Sequence, residues 1–387
     1  MGTIFTLEAL QAKHGDALLL HYGDAASPKL IVIDGGPSGV YNDALKPRLD
    51  ELKKARTPHE RLPIRLVLVS HIDDDHINGI LKLTGELVKA QQLNQDRPYE
   101  IQGLWHNSFD DIVGNKAQEL FASLQDIAVS AASSGVVPAN LPLGLPAALV
   151  VANVKEGRNL RNDAQALSLD VNKPFPGLVM AKSAEGKPVP MGGGLEFTVL
   201  GPDQERLENL QKEWDKQLKK LKLAKPAEIL AAAAEIVDTS VYNLSSLIVL
   251  ASAGDRRMLL TGDALGADII AGLKKLNLLQ DNKIHVDLLK MPHHGSNRNE
   301  TLDFFRQVTA DHYVCSADGK YGNPDKETLE WLCEARGQDT YSLHFTNRLP
   351  WFDDFFAAQK AAGKQFTVVY RDDQAKSLCI NLGDPLP

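Results

Sequence analysis

Apolar positions along the chain gather in short dense runs separated by polar turns, and those runs predict the elements. Phe5–Leu10, Ala17–Tyr22 and Leu30–Asp34 read as successive strands. A helix near Tyr41–Ala55 follows, then the strand Arg65–Ser70, a helix over Ile77–Leu93 and the strand Ile101–Trp105. A β-rich opening with helices laid outside fits half of an αβ/βα sandwich. The second half begins near Leu195–Leu200 and continues through strands Ser246–Ala251, Arg257–Leu260, Ile284–Lys290 and His312–Cys315, with helices near Asp263–Leu276, Glu300–Val308 and Lys326–Glu334. Phe366–Tyr370 and Ser377–Leu382 flank Arg371-Asp372-Asp373-Gln374 and predict a hairpin. The aromatic concentration before it, Phe345, Trp351, Phe352, Phe355 and Phe356, predicts core packing, with a dimer or partner surface as the alternative.

Between the halves lies Asn107–Gly194, rich in Ala, Ser, Gly, Asn and Pro, with a helix expected over Gly114–Ser133. It reads as an insertion or lid that walls the site. Glu205–Lys225 interleaves acids with seven Lys and Arg and reads as a solvated helix face, whereas Ala227–Val237 is apolar and helix-favouring. At 387 residues one large domain is expected, 1–334 as the main body and 335–387 as an aromatic segment and hairpin packed on it. No run of eighteen uninterrupted apolar residues occurs, and the start reads as a strand, so a cytoplasmic protein without a membrane anchor is expected. Cys315, Cys333 and Cys379 are far apart and form no CxxC pair, so each is expected to be a small buried hydrophobe. A net charge of −8 argues against a protein that coats nucleic acid with its whole surface, though a local basic groove remains compatible with it.

The chemistry concentrates where the strand Val67–Ser70 empties into His71-Ile72-Asp73-Asp74-Asp75-His76. Past a rigid strand end, side chains at alternate positions, His71 and Asp73, point the same way, and the pair Asp75 and His76 can address a second ion beside the first. Imidazole mixed with carboxylate suits zinc, manganese or iron. Two further strand ends deliver the same ligand types: Met258–Leu260 runs into Thr261-Gly262-Asp263, and Val286–Met291 into Pro292-His293-His294-Gly295-Ser296. Ligands brought from distant parts of the chain are what a two-metal site requires.

With Gly15–Leu20, Ile31–Gly36, Ser70–His76 and Gly79, Asn243–Leu250, Leu259–Asp263, Leu289–Ser296 and Tyr321–Pro324 in this order, the chain resembles the metallo-β-lactamase superfamily, in the branch typified by the hydrolase domain of the ComEC-type DNA-uptake competence protein. The resemblance implies an α/β fold, a four-layer αβ/βα sandwich with an insertion and a C-terminal β extension. It implies two divalent ions, zinc or manganese, held by His71, Asp73, Asp75, His76, Asp263 and His294, with Asp263 bridging. It further implies that Asp34 supports the ligand loop through hydrogen bonds, that Asp75 serves catalysis and that His293 donates to substrate or acts as general acid. Three departures stand out. Asp73 replaces a more usual His, Asn323 replaces a His before the late Pro, and no His occurs between His106 and His285, where a third-motif ligand normally falls. His106 is a candidate to fill that gap or to touch substrate, and Asn243 or Ser245 can do so through water.

Two divalent ions facing Asp73, Asp75 and Asp263 leave about one positive charge, which suits a phosphodiester attacked by metal-bound hydroxide. The expected function is therefore a metal-dependent phosphodiesterase or nuclease, with Lys290, Ser296, Asn297 and Arg298 as phosphate contacts. A lactone, ester or amide hydrolase of the same fold is the alternative, and a metal-stabilised partner-binding protein is the non-enzymatic one.

Overall fold

The computed structural model describes residues 2–108, 146–181, 187–209, 212 and 245–386, with side chains described from residue 156 onward in the helix that begins at Pro146. The fold is mixed α/β. One sheet of seven strands runs in the spatial order β17 (Ser377–Asn381), β1 (Thr3–Leu10), β2 (Leu18–Asp24), β3 (Lys29–Ile33), β5 (Leu66–Leu68), β7 (Gly103–Trp105), β8 (Asp170–Val171). The second, of eight strands, runs β16 (Phe366–Tyr370), β15 (Tyr341–Phe345), β14 (Val308–Cys315), β13 (Ile284–Lys290), β12 (Arg256–Leu260), β11 (Ile248–Ala253), β10 (Leu195–Gly201), β9 (Val189–Gly192). A small parallel pair, β4 (Leu62–Ile64) with β6 (Tyr99–Ile101), stands apart.

The central strands of both sheets are largely apolar on both faces, as strands covered on both sides must be. Alternate residues of one strand therefore enter different cores. Leu30, Val32, Val67 and Val69 join a cluster with Leu49 and Leu52 of α1 (Lys46–Arg56), Ile77, Ile80, Leu83 and Leu87 of α2 (Asp74–Gln92), and Leu160 and Ala164 of α3 (Pro146–Ala166). Ile31, Ile33, Leu66 and Leu68 face the other way and meet Phe197, Val249, Met258, Leu260 and Leu288 of the second sheet. The outer face of that sheet is covered by α4 (Gly266–Lys275), α5 (Leu302–Gln307), α6 (Lys326–Arg336) and α7 (Phe352–Ala361). Phe352, Phe355 and Phe356 are buried there, so the aromatic concentration is core.

Several expectations are corrected. The C-terminal strands do not form a hairpin: Phe366–Tyr370 pairs in parallel with Tyr341–Phe345 in one sheet, and Ser377–Asn381 pairs antiparallel with Thr6–Leu10 in the other. Each strand satisfies an open edge of a different sheet, and Arg371 holds the crossing through its N–H to the Phe345 carbonyl and its Nε to the Thr346 carbonyl, both 2.9 Å. Residues 335–387 thus supply strands to both sheets. Ile101–Trp105 is not one strand, because the chain changes sheets at Gln102. Cys315 and Cys333 are buried, but Cys379 is exposed, since its neighbours Leu378 and Ile380 take the core face of β17. The helix expected over Gly114–Ser133, most of the Glu205–Lys225 helix and Ala227–Val237 lie outside the described residues. No helix among the described residues is long and apolar enough to cross a membrane.

Candidate metal centre

The ligand loop begins where β5 ends. Helix α2 starts at Asp74, earlier than its apolar pattern indicates, so Asp75 and His76 occupy its first turn, where the unpaired N–H groups favour carboxylates. This turn is pressed against the loop after β3. His76 O accepts from the Gly35 N–H at 2.7 Å and Gly36 O accepts from the Gly79 N–H at 3.1 Å. A β-carbon on Gly79 would lie 1.9 Å from the Gly35 carbonyl oxygen, so the approach requires glycine on both sides. Gly15 plays the same part on the other flank, where a β-carbon would lie 2.0 Å from the Asp75 carbonyl oxygen.

Asp34 orders the imidazoles. Its Oδ2 accepts from His76 Nδ1 at 2.8 Å and from the Ser70 hydroxyl at 2.6 Å, and its Oδ1 accepts from the Ser70 N–H at 2.7 Å. With its hydrogen committed to Asp34, Ser70 Oγ accepts from His71 Nδ1 at 3.0 Å. Both rings therefore carry their proton on Nδ1 and turn a bare Nε2 inward. Asp34 thus hydrogen-bonds to Ser70 and His76, at either end of the loop that also carries His71, Asp73 and Asp75.

Asp263 stands in the tight turn after β12, not in α4 where the apolar pattern placed it, and is 2 % exposed. Ser246 Oγ accepts from its N–H at 3.2 Å, and the Asn299 side-chain amide donates to its carbonyl at 2.9 Å. Its two carboxylate oxygens face different sides. Oδ1 lies 3.2 Å from His76 Nε2 and 3.7 Å from His294 Nε2; Oδ2 lies 3.8 Å from His71 Nε2 and 3.5 Å from His293 Nε2. Asp73 Oδ2 is 3.5 Å from His71 Nε2, and Asp75 Oδ2 is 3.5 Å from His294 Nε2. Two ligands sharing a tetrahedral ion at bonds of 2.0 to 2.2 Å are separated by roughly 3.3 to 3.6 Å, so the spacing fits two ions with Asp263 between them. His71 Nε2, His76 Nε2, His294 Nε2 and Asp263 Oδ1 are buried without a hydrogen-bond partner, the condition an ion would relieve.

The electrostatics agree. Burial alone would raise the Asp263 carboxyl, but His76, His293, His294 and His71 around it hold it well below the ordinary range. Burial likewise opposes charge on His76, and Asp263, Asp34 and Asp75 overcome it and hold the ring well above its ordinary value. Asp75 is brought to about 2, with His76 and His294 outweighing its desolvation. The cluster demands positive charge at its centre.

His293 and His294 sit on a strained turn, both at positive φ (44° and 57°). It is pinned by the His293 N–H to the Gly262 carbonyl at 3.1 Å and by Asn323 Nδ2 to the His293 carbonyl at 3.3 Å. Asn323 thus braces this turn through its amide. His293 Nδ1 bonds Asn299 Oδ1 at 2.7 Å, which leaves Nε2 as the atom facing Asp263 Oδ2, so the ring is placed beside the ligands.

Behind His294, Asp16 Oδ1 faces Nδ1 at 3.5 Å, and Asp16 Oδ2 takes the Lys290 ammonium at 2.7 Å. Lys290 is 1 % exposed and also donates to the Met291 carbonyl, so it cannot meet a substrate phosphate as expected. Two more of the expected phosphate contacts make hydrogen bonds within the protein. Buried Ser296 accepts the Arg298 N–H, and Asn297 binds Asp325 and Glu327 at the start of α6. Arg298 is exposed on the same turn. His106 follows β7, and the Asn172 side chain clamps its N–H and carbonyl at 2.8 and 2.9 Å, but no converging ligand group among the described residues includes it. Ser246, the neighbour of Ser245, accepts the Asp263 N–H; Asn243 lies outside the described residues.

Asp16 and Asn299 escaped sequence reasoning. An acid directly before the apolar strand Ala17–Leu20 was a usable signal for Asp16, whereas nothing local distinguishes Asn299. From the expected lid, α3 is described and packs on α2, with Thr84 Oγ1 donating to Asp163 Oδ2 at 2.6 Å. Its Glu156 is pushed up to about 7 by burial and by Asp74 and Asp73, which puts this helix against the ligand loop.

No family model matches the chain. A stretch of 64 residues, 16 % of the chain, is 39 % identical to microtubule-associated protein 1A of Homo sapiens and covers 2 % of that protein, so the chain spans only a small fraction of this relative's length.

Proposed function

We propose that the protein is a metal-dependent hydrolase of phosphodiesters, built on a metallo-β-lactamase-type αβ/βα sandwich. The observation that carries this reading is one buried carboxylate, Asp263, standing between two groups of His and Asp side chains, of which the Nε2 atoms of His71, His76 and His294 are buried with no hydrogen-bond partner. Zinc or manganese held there would supply an activated water and polarise a phosphoryl oxygen. The chain's own residues do the rest. Asp34 and Ser70 hold His76 and His71 in the metal-binding tautomer, Asp16 and Lys290 back His294, and Asn299 orients both His293 and Asp263.

Charge separates the substrate classes. Two divalent ions against Asp73, Asp75 and Asp263 leave about one positive charge before water is deprotonated. A monoanionic phosphodiester matches that surplus better than a neutral lactone, ester or lactam. Of the two features that suggested a partner-binding protein, the aromatic segment is packed in the core, and the Ala-rich stretch Ala227–Val237 lies outside the described residues. A cytoplasmic setting and a nucleic-acid substrate belong to the same proposal.

The test is turnover of bis(p-nitrophenyl) phosphate and of labelled single- and double-stranded DNA by protein loaded with manganese or zinc, beside Asp75→Ala and His76→Ala. Metal-dependent hydrolysis that disappears in both variants is expected. Phosphodiester turnover that persists in both, or turnover of a lactone alone, would overturn the assignment.

A further inference from the structure

One aromatic ring stands in water beside the candidate centre. Among the described residues the large apolar side chains left exposed are Leu93, Val171 and Tyr321, and Tyr321 is the most exposed of them at 69 %. It lies on a tight turn closed by the Gly322 N–H to the Gly319 carbonyl at 3.0 Å, with Lys320 and Tyr321 at the two central positions. The turn is held from beneath: Asp318 Oδ1 accepts the Lys320 N–H at 3.0 Å, and Gly319 is packed so closely on Leu349 that a β-carbon would lie 2.9 Å from that side chain. Both flanks of the loop are tied to the backbone that carries the site. Ser316 Oγ donates to the Gly15 carbonyl at 2.6 Å, Asn323 Nδ2 donates to the His293 carbonyl at 3.3 Å, and the Asp325 N–H donates to the Gly295 carbonyl at 2.9 Å.

His14 connects this ring to the ligands. Its imidazole meets the Tyr321 ring nearly at right angles, with centroids 5.0 Å apart. The next residues of its loop are seated on Asp75, whose carbonyl accepts the Asp16 N–H at 3.2 Å. Burial draws the His14 imidazole below its ordinary value, and Asp75 and His294 are both near enough to act on it, the first raising it and the second lowering it. The Lys320 ammonium lies 4.7 Å from the Tyr321 centroid and makes no ion pair with the described residues. An exposed aromatic face takes a nucleobase by stacking, and a cation at its side answers phosphate charge. We propose that Tyr321, with Lys320 beside it, is a base-stacking platform, so that the substrate is a phosphodiester carrying a nucleoside on the side of the scissile phosphate that faces the His14 loop. This rests on the phosphodiesterase reading above and narrows it to nucleotidyl substrates. A ring face reads no base edge, so the platform gives affinity for purines and pyrimidines alike.

The experiment titrates the full chain, loaded with manganese, with deoxythymidine 5′-monophosphate and with deoxyribose 5-phosphate, read by calorimetry. The two ligands share sugar and phosphate and differ in the base. The nucleotide is expected to bind about 5- to 150-fold more tightly. Tyr321→Ala should abolish that increment and leave the affinity for deoxyribose 5-phosphate unchanged, and Tyr321→Phe should keep it. Lys320→Ala should weaken both ligands, and no change in either would remove the lysine from the platform. No nucleotide binding, equal affinity for the two ligands, or an increment that survives in Tyr321→Ala would overturn the proposal. Turnover of bis(p-nitrophenyl) phosphate on the same preparation separates the two readings: turnover without a base increment refutes the platform and leaves the hydrolase standing, whereas a Tyr321-dependent increment without turnover of any phosphodiester refutes the hydrolase and leaves a nucleotide-binding site.

Discussion

Replacing Lys290 by methionine isolates a buried charge at the back of the candidate site. The substitution keeps most of the side chain's volume and removes only the ammonium. Asp16 is 1 % exposed and sits 2.7 Å from that ammonium, so the variant leaves a carboxylate enclosed with its main counter-charge gone. Burial pushes the Asp16 carboxyl up, and Lys290 together with His294 outweighs that and keeps it ionised. Deleting one partner of such a pair costs about 3 to 5 kcal/mol, because the remaining charge keeps its desolvation penalty and loses its attraction. Against a total stability of roughly 5 to 15 kcal/mol for a folded domain, this is a large fraction. The assay is urea unfolding at pH 7 with chelator present, so that metal binding does not add its own linkage to the native state. The double variant Asp16→Leu with Lys290→Met should recover most of the loss, since two apolar groups replace the pair. Metal affinity at the His294 position should nevertheless stay depressed about 10- to 100-fold, because His294 has lost its outer carboxylate. A cost below 1 kcal/mol for Lys290→Met, or a double variant as unstable as the sum of the singles, would refute the reasoning.

Other expectations follow from the same geometry. Asp34→Asn should weaken metal binding about 10- to 100-fold by loosening the His76 tautomer, as measured by competition with a chromogenic chelator. Gly79→Ala drives a methyl into the Gly35 carbonyl and should cost at least about 1 to 3 kcal/mol in thermal or urea unfolding, with loss of metal affinity as α2 shifts. Glu8 is buried between His21 Nε2 at 2.8 Å and Arg48 Nε at 2.7 Å; burial raises its carboxyl, but these partners outweigh it and bring it to about 2. A carboxyl depressed from its unfolded value near 4.3 contributes stability that is complete above that value and is lost as the pH falls toward 2. The contribution is roughly 3 kcal/mol, and Glu8→Gln should flatten that part of the acid-unfolding profile.

Much of the architecture was legible in the chain because it is local. A continuous apolar run such as Leu30–Ile33 declares a strand covered on both faces, the alternation Ile284, Val286, Leu288 declares another strand, and the His/Asp cluster His71 to His76 is contiguous, so it stands out as a candidate site without tertiary information. The amphipathic stripe Ile77, Ile80, Leu83, Leu87 likewise predicts α2, although its true start at Asp74 depends on backbone groups that only the packed Gly35–Gly79 contact reveals. What tertiary structure decided is which distant groups meet. Strand pairing at the C-terminus was misjudged because a turn between two strands specifies proximity, while the open edges of two separate sheets decide the partner. Lys290 looked like a substrate contact since a lysine beside a double histidine is ordinarily exposed, and only the fold shows Asp16, 274 positions earlier, waiting to neutralise it in the interior. Residue type and spacing determine what chemistry a side chain can do; the direction in which packing points it, and the counter-charge it finds there, determine whether it does so on the surface or holds the site together from beneath.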